Sequence, residues 1–428
     1  MTDSRIVKVA GRRVWDSRGR PTVEAEVALA SGARGRAIAP AGASRGRGEA
    51  VELRDGGSRL GGFDVRRATA HVNGEIAKAL MGRDATDQEG VDETLVALDG
   101  TPDKGRLGAN AIVAVSMANL HAAAAAHGLP LYAYLLDEEE VTLPLPEIQI
   151  FGGGAPADRR VDIRDFMVMA IGAGSFDQAL EWTGEVYRAA GPIMREWGTL
   201  QGVTDEGGLW PAFDSNEEAL DALVGAIERA GLVPGEEMAI SLDIAASEFY
   251  EDGLYRLALD GVELDSDEMI DMLIGWLDRY PIRSIEDPLA EDDADGLARF
   301  TAAVGERVQV VGDDFLVTSA QRVREAAEIG ACNAMLLKPS QAGTVSEARA
   351  ALDAAREAEW GAIASARAGE SEDTTIVHLA VGWGIGQLKV GSFARSERMA
   401  KWNEGLRIEE AAGARARFAG GPEGRVFR

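Results

Sequence analysis

The chain has 428 residues, with 44 Lys plus Arg against 71 Asp plus Glu, a formal net charge of −27, four histidines and one cysteine. A surface this acidic repels phosphate backbones, which argues against nucleic-acid binding through a basic face. Cys332 alone can form no internal disulfide, zinc ribbon or iron–sulfur site, and His71, His121, His127 and His378 share no metal-ligand spacing, so a metal is expected on oxygen ligands as a hard ion such as Mg²⁺.

The opening MTDSRIVKVAGRRVW has no apolar signal-like run, and no stretch approaches the ~18 uninterrupted apolar residues of a membrane helix. A cytoplasmic protein without a membrane partner is expected. Arg5–Trp15 and Thr22–Leu29 alternate like strands around the turn cluster Asp16-Ser17-Arg18-Gly19, which predicts a β-meander. Asp64–Met81, Asp87–Leu98 and Ala109–His127 carry helical periodicity, and the last, interrupted by Asn, Ser and His, reads as a buried helix. The three prolines and the acidic run of Leu129–Pro146 mark the expected domain boundary, which divides the chain into 1–140 and 141–428.

Beyond it the rhythm becomes strand–helix. Strands are predicted at Met238–Ile244, Ile282–Glu286, Val308–Asp313, Ala334–Lys338, Gly361–Ser365 and Gly386–Val390. Helices are predicted at Asp265–Arg279, Thr318–Ile329, Thr344–Trp360 and Glu372–Gly382. Units of about 25–30 residues imply parallel strands, and this many favour a barrel over an open sheet. No glycine-rich phosphate loop follows a first strand, and Gly382-Trp383-Gly384-Ile385-Gly386 precedes a strand, so dinucleotide binding is not expected.

Five of the six predicted strands carry a charge at their finish: Asp243, Glu286, Asp313, Lys338 and Lys389. In a barrel all five project from the C-terminal rim into one mouth. Converging carboxylates repel unless a cation lies between them, and oxygen-only ligands select Mg²⁺ or Mn²⁺. A lysine beside a divalent ion has its ammonium form disfavoured and can act as a general base. Proton removal next to a carboxylate uses both groups: the base takes the proton and the metal carries the charge of the enolate, an arrangement found in the enolase superfamily.

The motifs WDSRGRPTVEAEV, PAGASRGRGEAVELRDG, TDEGGLWP, SLDIAASEFY, SIEDPLAEDD, GDDFLVT, LLKPSQAGTVSEA, ARAGESEDT and ARSERMAKWNEGLRIEE occur in an order that resembles enolase from about Ile6 to Glu410. The resemblance implies an α/β fold, an enolase-like (β/α)8 barrel opening ββαα, carrying an N-terminal α+β capping domain. It implies two Mg²⁺ ions, one structural on Asp243, Glu286 and Asp313, and one bound with substrate and held partly by Ser44. It implies Lys338 as the base for the α-proton and Glu206 as the acid that assists departure of the β-hydroxyl. Lys389 then lies beside the substrate carboxylate, and Arg367 binds the substrate phosphate. Homodimers or larger homo-oligomers are implied as well.

The departures from the family pattern share one pocket. Pro156 stands where a loop histidine is usual, and Ser365-Ala366-Arg367-Ala368-Gly369-Glu370 lacks a histidine and a serine. The usual Gln-Glu pair becomes Arg164-Asp165, and the loop AGASRGRGEA gains Arg45 and Arg47. Residues that form an enolate remain, while those that meet the phosphate or the leaving hydroxyl have changed. The expectation is a dehydratase for a small anionic carboxylate, a carboxylated or phosphonate analogue of 2-phosphoglycerate from secondary metabolism. Arg45, Arg47, Arg164 and Arg159 or Arg160 would supply anion recognition, and Asp165 would aid Glu206. The alternatives are an ordinary phosphopyruvate hydratase, a transferase that uses the enolate as nucleophile, and a non-catalytic protein.

Overall fold

A computed structural model describes residues 3–43, 45–136, 139–154 and 160–421. The chain opens with three antiparallel strands in the order β1 (Ile6–Trp15), β2 (Pro21–Leu29) and β3 (Arg34–Ile38). The first hairpin closes as the turn cluster predicts. The Asp16 carboxylate accepts the amides of Arg18 (2.9 Å) and Arg20 (2.8 Å), and Gly19 takes φ +68°. The third strand goes beyond the two that the alternation predicts.

The predicted helix over 64–81 is broken into α1 (Arg66–His71), a π-turn at Val72–Ile76 and α2 (Ala77–Leu80). The break has a local cause: the Asn73 side chain accepts the amide of Gly11 (2.9 Å) and donates to the Gly11 carbonyl (2.9 Å), pinning the helix to β1. Gly11 permits the approach, since a Cβ there would lie 2.7 Å from that of Val72. α3 (Gln88–Asp99) starts at the Asp87 cap and stops at Gly100 in the left-handed region. α4 (Ala109–Ala126) is long and apolar enough in composition to cross a membrane, yet 83% of it is buried inside the protein. It packs on β2 and β3, closely enough that a Cβ on Gly35 would meet the Ala118 carbonyl oxygen at 2.1 Å.

After α5 (Leu131–Leu135) come β4 (Val141–Leu143), β5 (Leu145–Gly152), β6 (Asp165–Met169), α6 (Phe176–Trp197), the hairpin β7 (Leu200–Val203) and β8 (Leu209–Pro211), and α7 (Asn216–Arg229). Then follow β9 (Ala239–Asp243), a small ribbon of β10 (Tyr250–Glu251), β11 (Leu254–Leu257) and β12 (Val262–Leu264), and α8 (Ser266–Arg279). Strand and helix alternate thereafter: β13 (Ile282–Glu286), α9 (Ala294–Val304), β14 (Gln309–Gly312), α10 (Ala320–Ile329) and β15 (Ala334–Leu337). The chain finishes with α11 (Pro339–Ala342), α12 (Val345–Glu357), β16 (Gly361–Ser365), α13 (Thr375–Gly382), β17 (Gln387–Ser392), α14 (Ser396–Ala412) and β18 (Ala416–Phe418).

The order β5-β6-β9-β13-β14-β15-β16-β17, with β17 pairing back to β5, closes an eight-stranded barrel. Every pairing in it is parallel except those of β6, which runs antiparallel to both β5 and β9. The barrel therefore opens ββαα. Its helices start on short polar caps, such as Ser215, Ser319 and Thr344, and α8 has a full capping box of Asp265 and Glu268.

The N-terminal part is stitched to the barrel rim. Ala41 and Gly369 exchange backbone hydrogen bonds (2.9 and 2.8 Å), Ser17 N–H donates to the Glu370 carbonyl (2.7 Å), and Ile38 N–H to Asp373 (2.8 Å). The amide of Ala50 donates to the Gln341 carbonyl at 2.9 Å. These contacts hold the loop after β3 across the mouth of the barrel.

Candidate active site

Strand register brings the charged strand ends to one level. Asp243 pairs with Glu286 on one side and with Asp165 on the other. Because β6 is reversed, its first residue, not its last, reaches the rim. The wall of a cavity of ≈ 360 Å³ is formed there by Asp165, Glu206, Asp243, Asp313, Lys338, Arg367 and Lys389, among others.

The Lys389 ammonium lies 2.6 Å from Glu286, 2.9 Å from Asp243 and 3.6 Å from Asp165. Lys338 donates to Asp313 Oδ2 at 2.5 Å, while Gln341 donates to Asp313 Oδ1 at 2.9 Å. Burial would push Lys389 down, but Asp243 and Glu286 outweigh it and hold the ammonium well above its ordinary range. Burial, with the neighbouring Asp243, lifts Glu286 far above a usual carboxyl. Burial also opposes ionisation of Asp243, yet Lys389 and Arg164 overcome it and keep that group below its usual value. Asp313 is held low in the same way, with burial overcome by Lys338.

Two buried carboxylate oxygens, Asp243 Oδ1 and Glu286 Oε1, have no hydrogen-bond partner. An orphaned carboxyl oxygen on each of two neighbouring strands, with Asp313 alongside, is of the chemistry that a hard divalent cation takes as ligand. A second trio, Asp287, Asp313 and Asp314, has carboxylate oxygens within 4.8 Å of one another. In it, however, both Asp287 oxygens accept backbone amides, from Asp313 (2.8 Å) and Asp314 (2.9 Å), so Asp287 braces the turn after β14. In the set that the resemblance implies, Asp243 and Glu286 are bridged by the Lys389 ammonium.

Arg164 and Arg367 both line the cavity. Arg164 donates to Glu248 (2.5 and 3.1 Å) and lies 3.6 Å from Asp243. Arg367 donates to Glu49 (3.0 Å) and to the Ser340 hydroxyl (3.1 Å). Glu206 is half-buried in the same wall. Asp165 is raised by burial, against the pull of Lys389 and with the push of Glu206 and Asp243, so it can share a proton with its surroundings. Ala366 and Ala368 occupy the wall where the resemblance leads one to look for a histidine and a serine.

Arg45 and Arg47 are not brought to the cavity. Arg45 pairs with Glu52 at 3.1 Å, and Arg47 pairs with Glu291 (3.3 Å) and Asp292 on the turn after β13. Nearby acids have claimed both guanidinium groups, and Arg47 remains 68% exposed. Arg160 is exposed and absent from the cavity wall, whereas Ser44, Pro156 and Arg159 lie outside the described residues. The cavity instead receives Arg18 and Arg20, along with Glu49 and Glu248, none of which sequence reasoning selects. In the sequence Arg18 reads only as part of a turn. Glu49 ends the charged part of AGASRGRGEA, the loop that drew attention to its arginines, and its place there was the signal that could have found it.

One layer beneath the rim, Glu147 shares a face of β5 with Gln149, which donates to Asp165. Glu147 is 1% exposed and accepts from Gln387 (2.5 Å), which is linked in turn to Gln309 (2.7 Å) and Ser284. Burial pushes Glu147 from 4.5 up to about 7, against Lys389 and Gln387. The folded state therefore keeps a proton that the unfolded chain releases, and stability falls as pH rises from about 4.5 to about 7. Glu147→Gln is expected to be more stable than the parent at pH 8 by up to about 3 kcal/mol, the difference shrinking towards pH 5. Urea unfolding at the two pH values measures it; equal differences at both would contradict the assignment.

Two family models match this chain. One, described as the enolase N-terminal domain, matches residues 6–135. The other, described as the enolase C-terminal TIM barrel domain, matches residues 140–426.

Proposed function

The chain belongs to the enolase family, within a superfamily of lyases, and from that premise we propose that it is a Mg²⁺-dependent dehydratase. It removes the proton α to a carboxylate and expels a β-hydroxyl. Its substrate is an anionic analogue of 2-phosphoglycerate, a carboxylated or phosphonate acid of secondary metabolism. The observation that carries this reading is one cavity wall: Lys338, Lys389, Asp243 and Asp313 stand beside Arg164, Asp165, Ala366 and Ala368. The proton-transfer residues and Arg367 are of the type the family uses, whereas Arg164, Asp165, Ala366 and Ala368 are not.

Asp243, Glu286 and Asp313 would hold one cation, and Ser44 would help hold a second. When bound, the ions neutralise the substrate carboxylate and favour the extra charge of its enolate. Lys338, oriented by its bond to Asp313, accepts the α-proton. Lys389 remains charged among its acids and offsets the negative charge that grows during proton removal. Glu206 delivers a proton to the departing hydroxyl, with Asp165 in the same wall as its partner. Arg367 and Arg164 bind the anionic end of the substrate, with Arg18 and Arg20 adding positive potential.

The test is a panel of acids supplied with Mg²⁺: 2-phosphoglycerate, its phosphonate isostere and a carboxylated analogue. α-Proton exchange and enol absorbance are followed separately. Each missing hydrogen bond to a charged group is worth about 1.5–3 kcal/mol, so two missing side chains predict a kcat/KM for 2-phosphoglycerate at least about 100-fold below that of the best analogue. Turnover of 2-phosphoglycerate above every analogue would make the protein an ordinary phosphopyruvate hydratase. Product that forms only when a second substrate is added would make it a transferase.

A further inference from the structure

The segment ARSERMAKWNEGLRIEE folds as α14, and no step above uses it. Two of its cations, Arg398 and Lys401, are 0% exposed. Complete burial of a guanidinium and an ammonium is costly and calls for fixed acceptors. Arg398 Nε makes no hydrogen bond and lies 3.5 Å from Glu397 Oε1, while the other donors are engaged. The same helix already has apolar side chains for docking, Trp402 and Ile408. Packing alone therefore does not explain the pair.

Their acceptors cluster on the loop of residues 367–371 and on Val390. Arg398 Nη1 donates to the carbonyls of Arg367 (2.8 Å) and Val390 (2.9 Å), and Nη2 donates to that of Ala368 (2.5 Å). Lys401 donates to Glu370 Oε2 (2.8 Å) and to the Ser371 carbonyl (2.6 Å). The other Glu370 oxygen accepts the backbone N–H of Arg367 at 2.9 Å. Both backbone groups of Arg367 are thus held from α14, the carbonyl directly and the amide through Glu370. Val390 directly follows Lys389, so Arg398 also fastens the strand that carries Lys389 to the loop that carries Arg367.

We propose that Arg398 and Lys401 are positioning residues that fix Arg367 relative to Lys389 and so set the reach at which the cavity holds the anionic end of its substrate. The planar guanidinium fork spans three carbonyls, which an ammonium cannot reproduce. The inference rests on the reading of Arg367 as the anion-binding residue, and the test separates the two.

The full chain at saturating Mg²⁺ is titrated with inorganic phosphate by calorimetry, for the parent and for Arg367→Ala, Arg398→Lys and Glu370→Gln. Mg²⁺ affinity is measured alongside as the reference that a general loss of structure would also move. Arg398→Lys is expected to weaken phosphate binding about ten-fold and Glu370→Gln about three-fold, with Mg²⁺ affinity held within about two-fold. Should Arg398→Lys fail to fold, Glu370→Gln, which is nearly isosteric, carries the test. Phosphate affinity unchanged in both positioning variants but weakened by Arg367→Ala would overturn the proposal alone. Phosphate and Mg²⁺ affinities that fall in parallel would overturn it too. A parent that does not bind phosphate, or binding that Arg367→Ala leaves untouched, would remove the reading of Arg367 and the proposal with it.

Discussion

Lys338→Ala is expected to abolish exchange of the substrate α-proton with solvent deuterium. A positioned general base contributes about 10²–10⁴-fold to rate, so residual exchange should fall by at least that factor. The variant also strips Asp313 of its 2.5 Å donor, leaving one oxygen of a buried carboxylate without that partner. Gln341 still donates to the other oxygen at 2.9 Å, and the strand end that carries Asp313 is braced by Asp287. Folding and Mg²⁺ binding are therefore expected to survive while exchange does not. NMR of the substrate in deuterated buffer measures the rate, and exchange retained at the parental level would sink the assignment of the base.

Asp243→Asn should eliminate the stabilisation that Mg²⁺ gives to the parent. A ligand that binds only the folded state at 100 times its Kd adds about 2.7 kcal/mol. At the same Mg²⁺ concentration the variant should gain almost nothing, because the lost charge sat next to the orphaned oxygen of Glu286. Without metal the variant need not be unstable. Lys389 keeps Glu286 at 2.6 Å, and one carboxylate is removed from a crowded acidic rim. Thermal unfolding with Mg²⁺ and with a chelator gives the comparison. An undiminished Mg²⁺ shift in Asp243→Asn would move the ion elsewhere, with the trio Asp287, Asp313 and Asp314 as the next place to look.

The strand ends were legible because four of the apolar runs in the second half give way to a carboxylate or a lysine. Asp243 and Glu286 end β9 and β13, and Asp313 and Lys338 directly follow β14 and β15, whereas β17 runs on past Lys389 to Ser392. The barrel's first two strands were not legible. All eight residues of β5 are buried, which erases alternation, and its Pro146, with Pro144 just before it, reads as a linker. The reversal of β6 is a matter of topology that no local pattern announces. Long-range pairing misled the reading of the arginines as well. Arg47 meets Glu291 across 244 residues of sequence, a neighbour that a loop charge cannot advertise. The clamp on Arg367 was hidden for a related reason, since a buried cation on a helix looks in sequence like any solvated one.

The reversed direction of β6 has a consequence for how such a protein diversifies. On a parallel strand the rim residue is followed at once by a loop that must deliver the chain to a docked helix, so changes there are constrained by that docking. On β6 the helix α6 follows from the opposite end, after Met169, while positions 164 and 165 enter the cavity at the start of the strand. Substitutions at Arg164 and Asp165 can accordingly alter what the cavity accepts without disturbing the placement of any helix. The first hairpin of the barrel is thus a place where the cavity lining can change while Lys338 and Lys389, carried by other strands, stay where they are.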